Sequence, residues 1–222
     1  MFPFLLFCDT MSGMKKGMTI IYPEYNGLYI NLTNRCPCAC TFCIRQREKA
    51  EFDNVDTLWL EREPSADEVI DAIKKESLTE RFKDYKEFVF CGYGEPTEAL
   101  DVLLEVADFL KATFTLPVRL NTNGLGDLVN KKSIAPLFKG RLDAVSISLN
   151  SSDPEIYERT VRPVFKEKAY PALLSFAREA ALYVPKVILS TVRTTISVED
   201  EEACTRLCKE LGVTHRIREY VG

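Results

Sequence analysis

Short apolar runs rich in β-branched and aromatic residues alternate with longer segments of helical periodicity from residue 28 onward. Six of these runs are expected to be strands, at residues 28–33, 87–92, 117–122, 143–149, 186–192 and 213–220. The helical segments between them include residues 97–113, 127–138, 169–183 and 198–211. Because strand and helix alternate, the pattern predicts an α/β fold in which crossover helices connect parallel strands.

Local signals mark the ends of several helices. Ser65 and Glu68 have the spacing of a capping box directly before a helical segment. Asp153 followed by Pro154 is a typical start for another helix, and Gly212 is a typical residue just after the last one. These signals support the helices that the periodicity predicts.

The chain shows no linker, repeat or low-complexity tract that would divide it. We therefore expect residues 26–222 to be one core domain and residues 1–25 to be an N-terminal extension with a short strand, at 18–22, paired to the first strand. Residues 47–64 form a long connection of irregular sequence, which is expected to be either a functional lid or a surface loop anchored by Trp59.

The composition is that of a globular protein with mixed charge. The chain has 222 residues, and its 46% hydrophobic content is enough for a full core without disulfide bonds. Its 29 Lys plus Arg and 33 Asp plus Glu do not favour nucleic acid or a membrane surface as a partner. The apolar start, MFPFLLFC, lacks a basic region and is too short to span a membrane, so we expect a cytoplasmic protein.

Four of the eight cysteines lie in the segment NRCPCACTFC, residues 34–43, directly after the first predicted strand. Cytoplasmic thiols stay reduced, which favours a metal site over a disulfide. Structural zinc usually takes ligands from separated pairs, whereas these cysteines share one loop and the only histidine, His215, is in the last strand. Closely spaced cysteines are typical of iron–sulfur ligands, and zinc remains the alternative.

Polar motifs also follow the next three predicted strands. They are GYGEP at residues 92–96, NTNG at 121–124 and SLNSS at 148–152. The carboxyl ends of parallel strands meet at one edge of a sheet or barrel, where ligands bind. We therefore expect these motifs to lie beside the cysteines.

At these residues the chain resembles the radical S-adenosylmethionine (SAM) superfamily. The signature of that superfamily is a C-x3-C-x-aromatic-C loop after the first strand of a partial (β/α)6 TIM-like barrel, and the resemblance runs from about residue 26 to the C-terminus. The segments LYINLTNRC, TFCIR, LWLEREP and FCGYGEPT further resemble compact radical SAM proteins associated with TatD-type metal-dependent hydrolases.

The resemblance implies a [4Fe-4S] cluster held by Cys36, Cys40 and Cys43, with the aromatic Phe42 beside it and SAM on the fourth iron. It implies reductive cleavage of SAM to a 5′-deoxyadenosyl radical that abstracts hydrogen from a substrate. Cys38 is expected to be a bystander thiol. The partners that the resemblance suggests are a reductant such as flavodoxin or ferredoxin and a TatD-type hydrolase.

The resemblance also assigns the GYGEP segment to the methionine amino group of SAM. Gly92 and Gly94 are expected to let the backbone approach the ligand closely, and Glu95 is expected to accept from the ammonium group. Tyr93 replaces a glycine of the superfamily pattern. A plain turn with Pro96 starting the next helix is the structural alternative.

The remaining SAM-binding candidates come from the third and fourth strand ends and the helix that follows. They are Thr122, Asn123, Ser146, Ser148, Arg159 and Arg162. Period-two alternation places Ser146 and Ser148 on one face of their strand. An Asn-Gly turn and a surface helix would contain the same residue types, so structural roles remain the alternative for Thr122, Asn123 and the two arginines.

The other cysteines and the histidine are expected to be structural. Cys204 and Cys208 are four residues apart on the last helix, so both should pack against the sheet. Cys8 lies in the N-terminal extension and Cys91 in an apolar strand, and His215 is expected to support the last strand.

Three readings of the function stay open. The first is a radical SAM enzyme of unidentified substrate, and the second is a compact radical SAM enzyme of deazapurine biosynthesis or glycyl-radical activation. The third is a non-catalytic iron–sulfur redox protein, which would have no need for GYGEP and NTNG. Because fold resemblance does not transfer a substrate, none is assigned.

Overall fold

The computed structural model describes residues 17–46 and 57–220. Most of the N-terminal extension, with Cys8, and residues 47–56 of the long connection lie outside the described residues. In the described part, one sheet contains seven strands in sequence order. They are β1 (Ile21–Glu24), β2 (Gly27–Ile30), β3 (Glu87–Phe90), β4 (Val118–Thr122), β5 (Ala144–Ser148), β6 (Lys186–Val192) and β7 (Thr214–Arg218).

Crossover helices connect the strands from β2 onward. The helices are α1 (Ala66–Ser77), α2 (Leu100–Thr113), α3 (Gly126–Asn130), α4 (Pro154–Val161), α5 (Ala169–Tyr183) and α6 (Val198–Glu210). The six strands β2 to β7 pair in parallel, and β1 pairs with β2 in the antiparallel direction. The chain is thus a single-domain α/β fold, a partial TIM-like barrel, as the alternation of strand and helix predicted.

The signals for helix ends are confirmed. At the start of α1, the Glu68 amide donates to Ser65 Oγ at 3.3 Å, and the Ser65 amide donates back to the Glu68 carboxylate at 3.0 Å. The Asp153 carboxylate accepts from two amides in the first turn of α4. Gly212 follows α6 with a φ of +68°, a left-handed conformation that suits glycine.

The continuous helix expected over residues 127–138 is wrong. Helix α3 ends at Asn130, Lys131 has a φ of +54°, and a short 3-10 turn follows at Ala135–Phe138. The Asp127 carboxylate accepts from the Ile134 amide at 2.9 Å, so this aspartate stabilises the loop after α3. The residues of the helical pattern are therefore divided between the short helix α3 and the 3-10 turn.

Alternate strand positions face opposite sides of the sheet. Apolar residues of the first set, such as Ile30, Phe88 and Leu120, pack against the helices in the main core. The second set forms what we call the inner face, and it carries most of the polar strand residues. Its members include Tyr29, Val89, Arg119, Asn121, Ser146, Ser148, Ser190, Arg216 and Arg218.

Candidate functional site

The cysteine loop, residues 33–43, follows β2 and is held against the end of α4. The amides of Ala39 and Thr41 donate to the carbonyls of Val161 and Thr160 at 3.1 and 2.9 Å. Backbone hydrogen bonds of this kind fix the loop independently of its side chains. The cysteines are therefore presented from a defined backbone.

The thiols of this loop differ in burial. Cys36, Cys40 and Cys43 are half-buried, whereas Cys38 is buried and belongs to the main core. A hydrogen bond with Cys38 lowers the pKa of Cys36, and burial together with the neighbouring cysteines raises the pKa of Cys40 to about 12. The predicted ligands thus have more exposure than the predicted bystander.

The donor set has the chemistry of iron–sulfur ligands, because cysteine thiolates on one loop are the usual ligands of such clusters. Among residues 17–46 and 57–220, no three His, Cys, Asp or Glu side chains are grouped so that they could hold one metal ion. A zinc ion needs its ligands within about 2.0–2.3 Å, so zinc-binding thiols must converge on a point. In an iron–sulfur cube each thiolate binds a different iron, which allows the thiols to stand apart.

Glu95 connects two strand ends beside the cysteine loop. Its side chain is buried, and Oε1 accepts from the Thr97 amide at 3.2 Å and from the Thr97 and Thr122 hydroxyls at 2.8 and 2.7 Å. Oε2 accepts from the Asn123 amide at 2.7 Å. Burial raises the pKa of Glu95, against the effect of these donors. A carboxylate offers about four lone-pair sites, so Oε2 retains capacity for a further donor.

The side chain of Asn123 reaches from the NTNG segment to the cysteine loop. Its Nδ2 lies 3.9 Å from Cys36 Sγ and 3.6 Å from Cys38 Sγ. Because the Asn123 amide also donates to Glu95, one residue joins all three loops. Thr122 and Asn123, two of the predicted SAM contacts, therefore lie with Glu95 and Cys36 in one hydrogen-bonded unit.

The two glycines of GYGEP approach protein rather than open space. A Cβ on Gly94 would lie 2.2 Å from the Thr33 carbonyl oxygen, and one on Gly92 would lie 2.1 Å from Asn31 Oδ1. The Glu95 amide donates to the Arg35 carbonyl at 2.8 Å. Gly94 therefore lets GYGEP pack against the cysteine loop, and Gly92 lets it pack against Asn31; a close approach of this segment to a ligand stays a prediction.

Arg45 was not predicted from the sequence, and it braces the cysteine loop. Its Nε lies 3.4 Å from Cys43 Sγ, and its Nη2 donates to the Cys38 carbonyl at 3.0 Å. The guanidinium lies 5.9 Å from the ring centroid of Trp59, which in turn packs edge-on against Tyr93 at 5.0 Å. Trp59 thus anchors the described part of the long connection. Its place two residues after Cys43 was the only sequence feature that could have pointed to this role.

Tyr157 is a second residue that sequence reasoning missed. It is buried on α4 under the cysteine loop, where burial and the nearby thiols raise its pKa. Its hydroxyl has no hydrogen-bond partner among the residues that the structure describes. The sequence of α4 predicts an amphipathic helix, but it does not predict that Tyr157 lies against the cysteine loop.

The remaining predicted SAM contacts lie at varied distances from this unit. Ser146 is buried on the inner face and accepts from Arg216 Nη2 at 3.0 Å, whereas Ser148, two residues later on the same face, is half-buried. Arg162 Nε donates to the Ala39 carbonyl at 2.7 Å, so it holds the cysteine loop. Phe42 is half-buried, and Arg159 is exposed on α4 with no hydrogen bond or ion pair to the described residues.

The residues expected to be structural have structural surroundings. Cys204 and Cys208 are buried in the main core, which confirms the expectation for both. The His215 ring lies between Thr191 and Thr205, with nitrogen–oxygen distances of 3.1 and 2.8 Å. It therefore supports the contact between β7 and α6, away from the inner face.

A comparison with protein-family models shows the superfamily of the chain. Residues 30–207 match the model of the radical SAM superfamily, and this stretch covers the cysteine loop, GYGEP and NTNG. The chain belongs to the radical SAM superfamily. Enzymes of this superfamily use a [4Fe-4S] cluster and SAM, and the cysteine loop at the barrel mouth is the element that carries its signature.

Curated relatives of this radical SAM protein include GTP 3′,8-cyclases. The chain is 26% identical over 200 residues to "Probable GTP 3′,8-cyclase" of Methanocaldococcus jannaschii, covering 89% of this chain and 60% of the relative. It is 29% identical over 200 residues to GTP 3′,8-cyclase of Mycobacterium sp. (strain KMS), covering 87% of this chain and 51% of the relative. The chain thus spans only part of these relatives.

Two solved structures share the fold of this chain. SuiB of Streptococcus suis bound to S-adenosylmethionine superposes with a TM-score of 0.62 at 18% identity, covering 87% of this chain and 40% of that one. Methylornithine synthase (PylB) superposes with a TM-score of 0.56 at 14% identity, covering 87% of this chain and 52% of that one.

Within residues 17–46 and 57–220, no helix is long and apolar enough to cross a membrane.

Proposed function

We propose that Cys36, Cys40 and Cys43 bind a [4Fe-4S] cluster and that the neighbouring strand ends hold SAM beside it. The observation that carries this proposal is the hydrogen-bonded unit in which Glu95 and Asn123 connect GYGEP, NTNG and the cysteine loop. The chemistry that these cofactors supply when bound is reductive cleavage of SAM to a 5′-deoxyadenosyl radical that abstracts hydrogen from a substrate.

The residues of the site offer suitable partners for SAM. The remaining capacity on Glu95 Oε2 suits an ammonium donor, and the low local dielectric strengthens that bond. Asn150 Oδ1, buried just beyond β5, has no partner within the described part of the chain and is a second available acceptor. Buried acceptors without a protein partner usually have a bound one. We include Thr122, Ser146, Ser148, Arg159 and Arg162 in the SAM-binding proposal on the superfamily resemblance alone.

Cluster binding is tested by anaerobic reconstitution with iron and sulfide, followed by iron analysis and electron paramagnetic resonance of the reduced protein. Alanine at Cys36, Cys40 or Cys43 should abolish stable iron loading. Cys38→Ala is the matched control in the same loop, and it should load iron as the unmodified protein does. Equal loss of iron in the control would contradict the assignment of Cys38 as a bystander.

The wider context is also proposed. We place the enzyme in the cytoplasm with flavodoxin or ferredoxin as reductant, which is supported by the need of the superfamily for an electron donor. A TatD-type hydrolase as partner, and membership in the TatD-associated group, are supported by the sequence segments quoted above. Reduction of the reconstituted protein by flavodoxin, followed as bleaching of the cluster absorbance, tests the choice of donor.

A further inference from the structure

Two arginines on β7 face the barrel interior with unused hydrogen-bonding capacity. Arg216 and Arg218 are two positions apart on the strand, so both side chains lie on the inner face. The Nε atom of each is buried and has no hydrogen-bond partner among the described residues. Arg216 donates through Nη2 to Ser146 at 3.0 Å, which fixes the direction of its guanidinium.

Arg119, the third arginine of the inner face, differs from these two because it forms an ion pair. Arg119 donates through Nη2 and Nε to the two carboxylate oxygens of Glu87 at 2.6 and 2.9 Å. In the described ranges, 17–46 and 57–220, Arg216 and Arg218 form no ion pair of this kind. The inner face therefore carries two guanidinium groups that are in direct contact with no carboxylate of the described residues.

The surroundings of the two arginines disfavour their charged form. Burial lowers the pKa of both arginines, and repulsion by Arg119 and Arg216 lowers the pKa of Arg216 and Arg218 respectively. Both side chains are half-buried, and their enclosed Nε atoms have no partner among the described residues; a desolvated donor without a partner is costly and is often found where a ligand binds. The pair is thus a candidate binding site rather than part of the packing.

The position of the pair relates it to the proposed radical chemistry. Arg216 contacts Ser146 near the middle of β5, and Arg218 lies on the same face two residues further toward the carboxyl end of β7. A ligand held by both guanidinium groups would occupy the barrel interior toward the carboxyl ends of the strands, where the cysteine loop also begins.

We propose that Arg216 and Arg218 bind an anionic group of the substrate, a phosphate or a carboxylate. This inference rests on the proposed function, because it places the substrate beside the radical source. Guanidinium groups match both oxyanions in planar, two-point hydrogen bonds. The carboxylate of SAM has the same chemistry and is the competing source, so the experiment must separate the two.

Inorganic pyrophosphate is a suitable probe because it binds without any assumption about the rest of the substrate. Its dissociation constant is measured by isothermal titration calorimetry on the iron-free and on the reconstituted protein. Arg216→Gln and Arg218→Gln should each weaken binding by at least about tenfold, the effect of losing a charge-assisted hydrogen bond. Arg206→Gln, an exposed arginine on α6, is the charge-matched control and should stay within about twofold of the unmodified protein.

A second arm adds SAM to the reconstituted protein. If the arginines bind substrate, SAM and pyrophosphate bind together, and both variants retain their affinity for SAM. Competition between SAM and pyrophosphate, or loss of SAM affinity in the variants, would assign the arginines to the SAM carboxylate and overturn the proposal. Loss of iron with unchanged pyrophosphate affinity would assign them to the cluster and also overturn it.

Thermal melting of the iron-free protein gives a readout that does not depend on activity. Arg218→Met replaces a guanidinium whose buried Nε has no partner among the described residues by an apolar side chain, so the variant should melt at the same or a higher temperature than the unmodified protein. A lower melting temperature would show that the arginine supports the fold. Failure of SAM cleavage with intact, arginine-dependent pyrophosphate binding would count against the proposed function only.

Discussion

Replacing Gly94 by alanine tests whether GYGEP and the cysteine loop form one packed unit. The added Cβ would lie 2.2 Å from the Thr33 carbonyl oxygen and 2.7 Å from that of Arg35. Reaching the 3.4 Å of an ordinary contact requires the two segments to separate by about 1.2 Å. Both obstructing atoms belong to the backbone, so no side-chain rotation relieves the clash.

The expected cost follows from overpacking. Forcing extra volume into a packed site destabilises a protein by about 1–3 kcal/mol. For a chain of this size each kcal/mol lowers the melting temperature by about 2–4 °C, so Gly94→Ala should melt about 2–12 °C lower. Because the shift falls on the segment that precedes Cys36, we also expect the variant to lose most of its iron after reconstitution.

The assay combines thermal melting of the iron-free protein with iron analysis of the reconstituted protein. Gly17→Ala is the control, since among the described residues its Cβ would meet only a side-chain carbon of Thr57, at 3.4 Å. If Gly94→Ala melted at the same temperature as this control and bound as much iron, close packing of GYGEP against the cysteine loop would not be what positions the cysteines.

Two further predictions concern Arg45, which contacts the cysteine loop, and the pH dependence of stability. Arg45→Gln removes a guanidinium that contacts both Cys43 and the Cys38 carbonyl, so it should reduce iron retention at least about tenfold in a chelator challenge, whereas Arg206→Gln should not. Iron release at the same rate in both variants would argue against the brace. Hydrogen bonds from Arg62 and the Ser65 amide lower the pKa of Glu68 to about 2, from an ordinary value of 4.5. A lowered carboxyl pKa contributes stability that is present above about pH 4.5 and lost as the pH falls toward 2, so Glu68→Gln should flatten this part of the melting temperature profile. Parallel profiles for the variant and the unmodified protein would contradict the assignment.

The order of strands and helices could be predicted because it depends on local patterns. Helix α5 occupies Ala169–Tyr183, the predicted range, because its periodicity is uninterrupted and a strand follows at once. The prediction failed at residues 127–138, where the Asp127 side chain bonds to Ile134 and Lys131 takes a left-handed conformation. A periodic pattern does not record such side-chain contacts with the backbone.

The location of the candidate site was predictable, but the partners of its residues were not. Motifs at successive strand ends must meet in a parallel sheet, which placed Glu95 and Asn123 beside the cysteines. The contact of Ser146 with Arg216, and of Arg162 with the Ala39 carbonyl, joins residues 70 and 123 positions apart. Contacts of that range depend on the packing of the whole barrel, and no local pattern signals them.

The most direct test of the central claim is formation of 5′-deoxyadenosine. The anaerobically reconstituted protein is reduced with dithionite in the presence of SAM, and the products are quantified by liquid chromatography and mass spectrometry. We predict 5′-deoxyadenosine and methionine in equal amounts from the unmodified protein, and neither product from the Cys36→Ala variant. A fully iron-loaded protein that forms neither product, or a protein that takes up zinc in place of iron, would contradict the account.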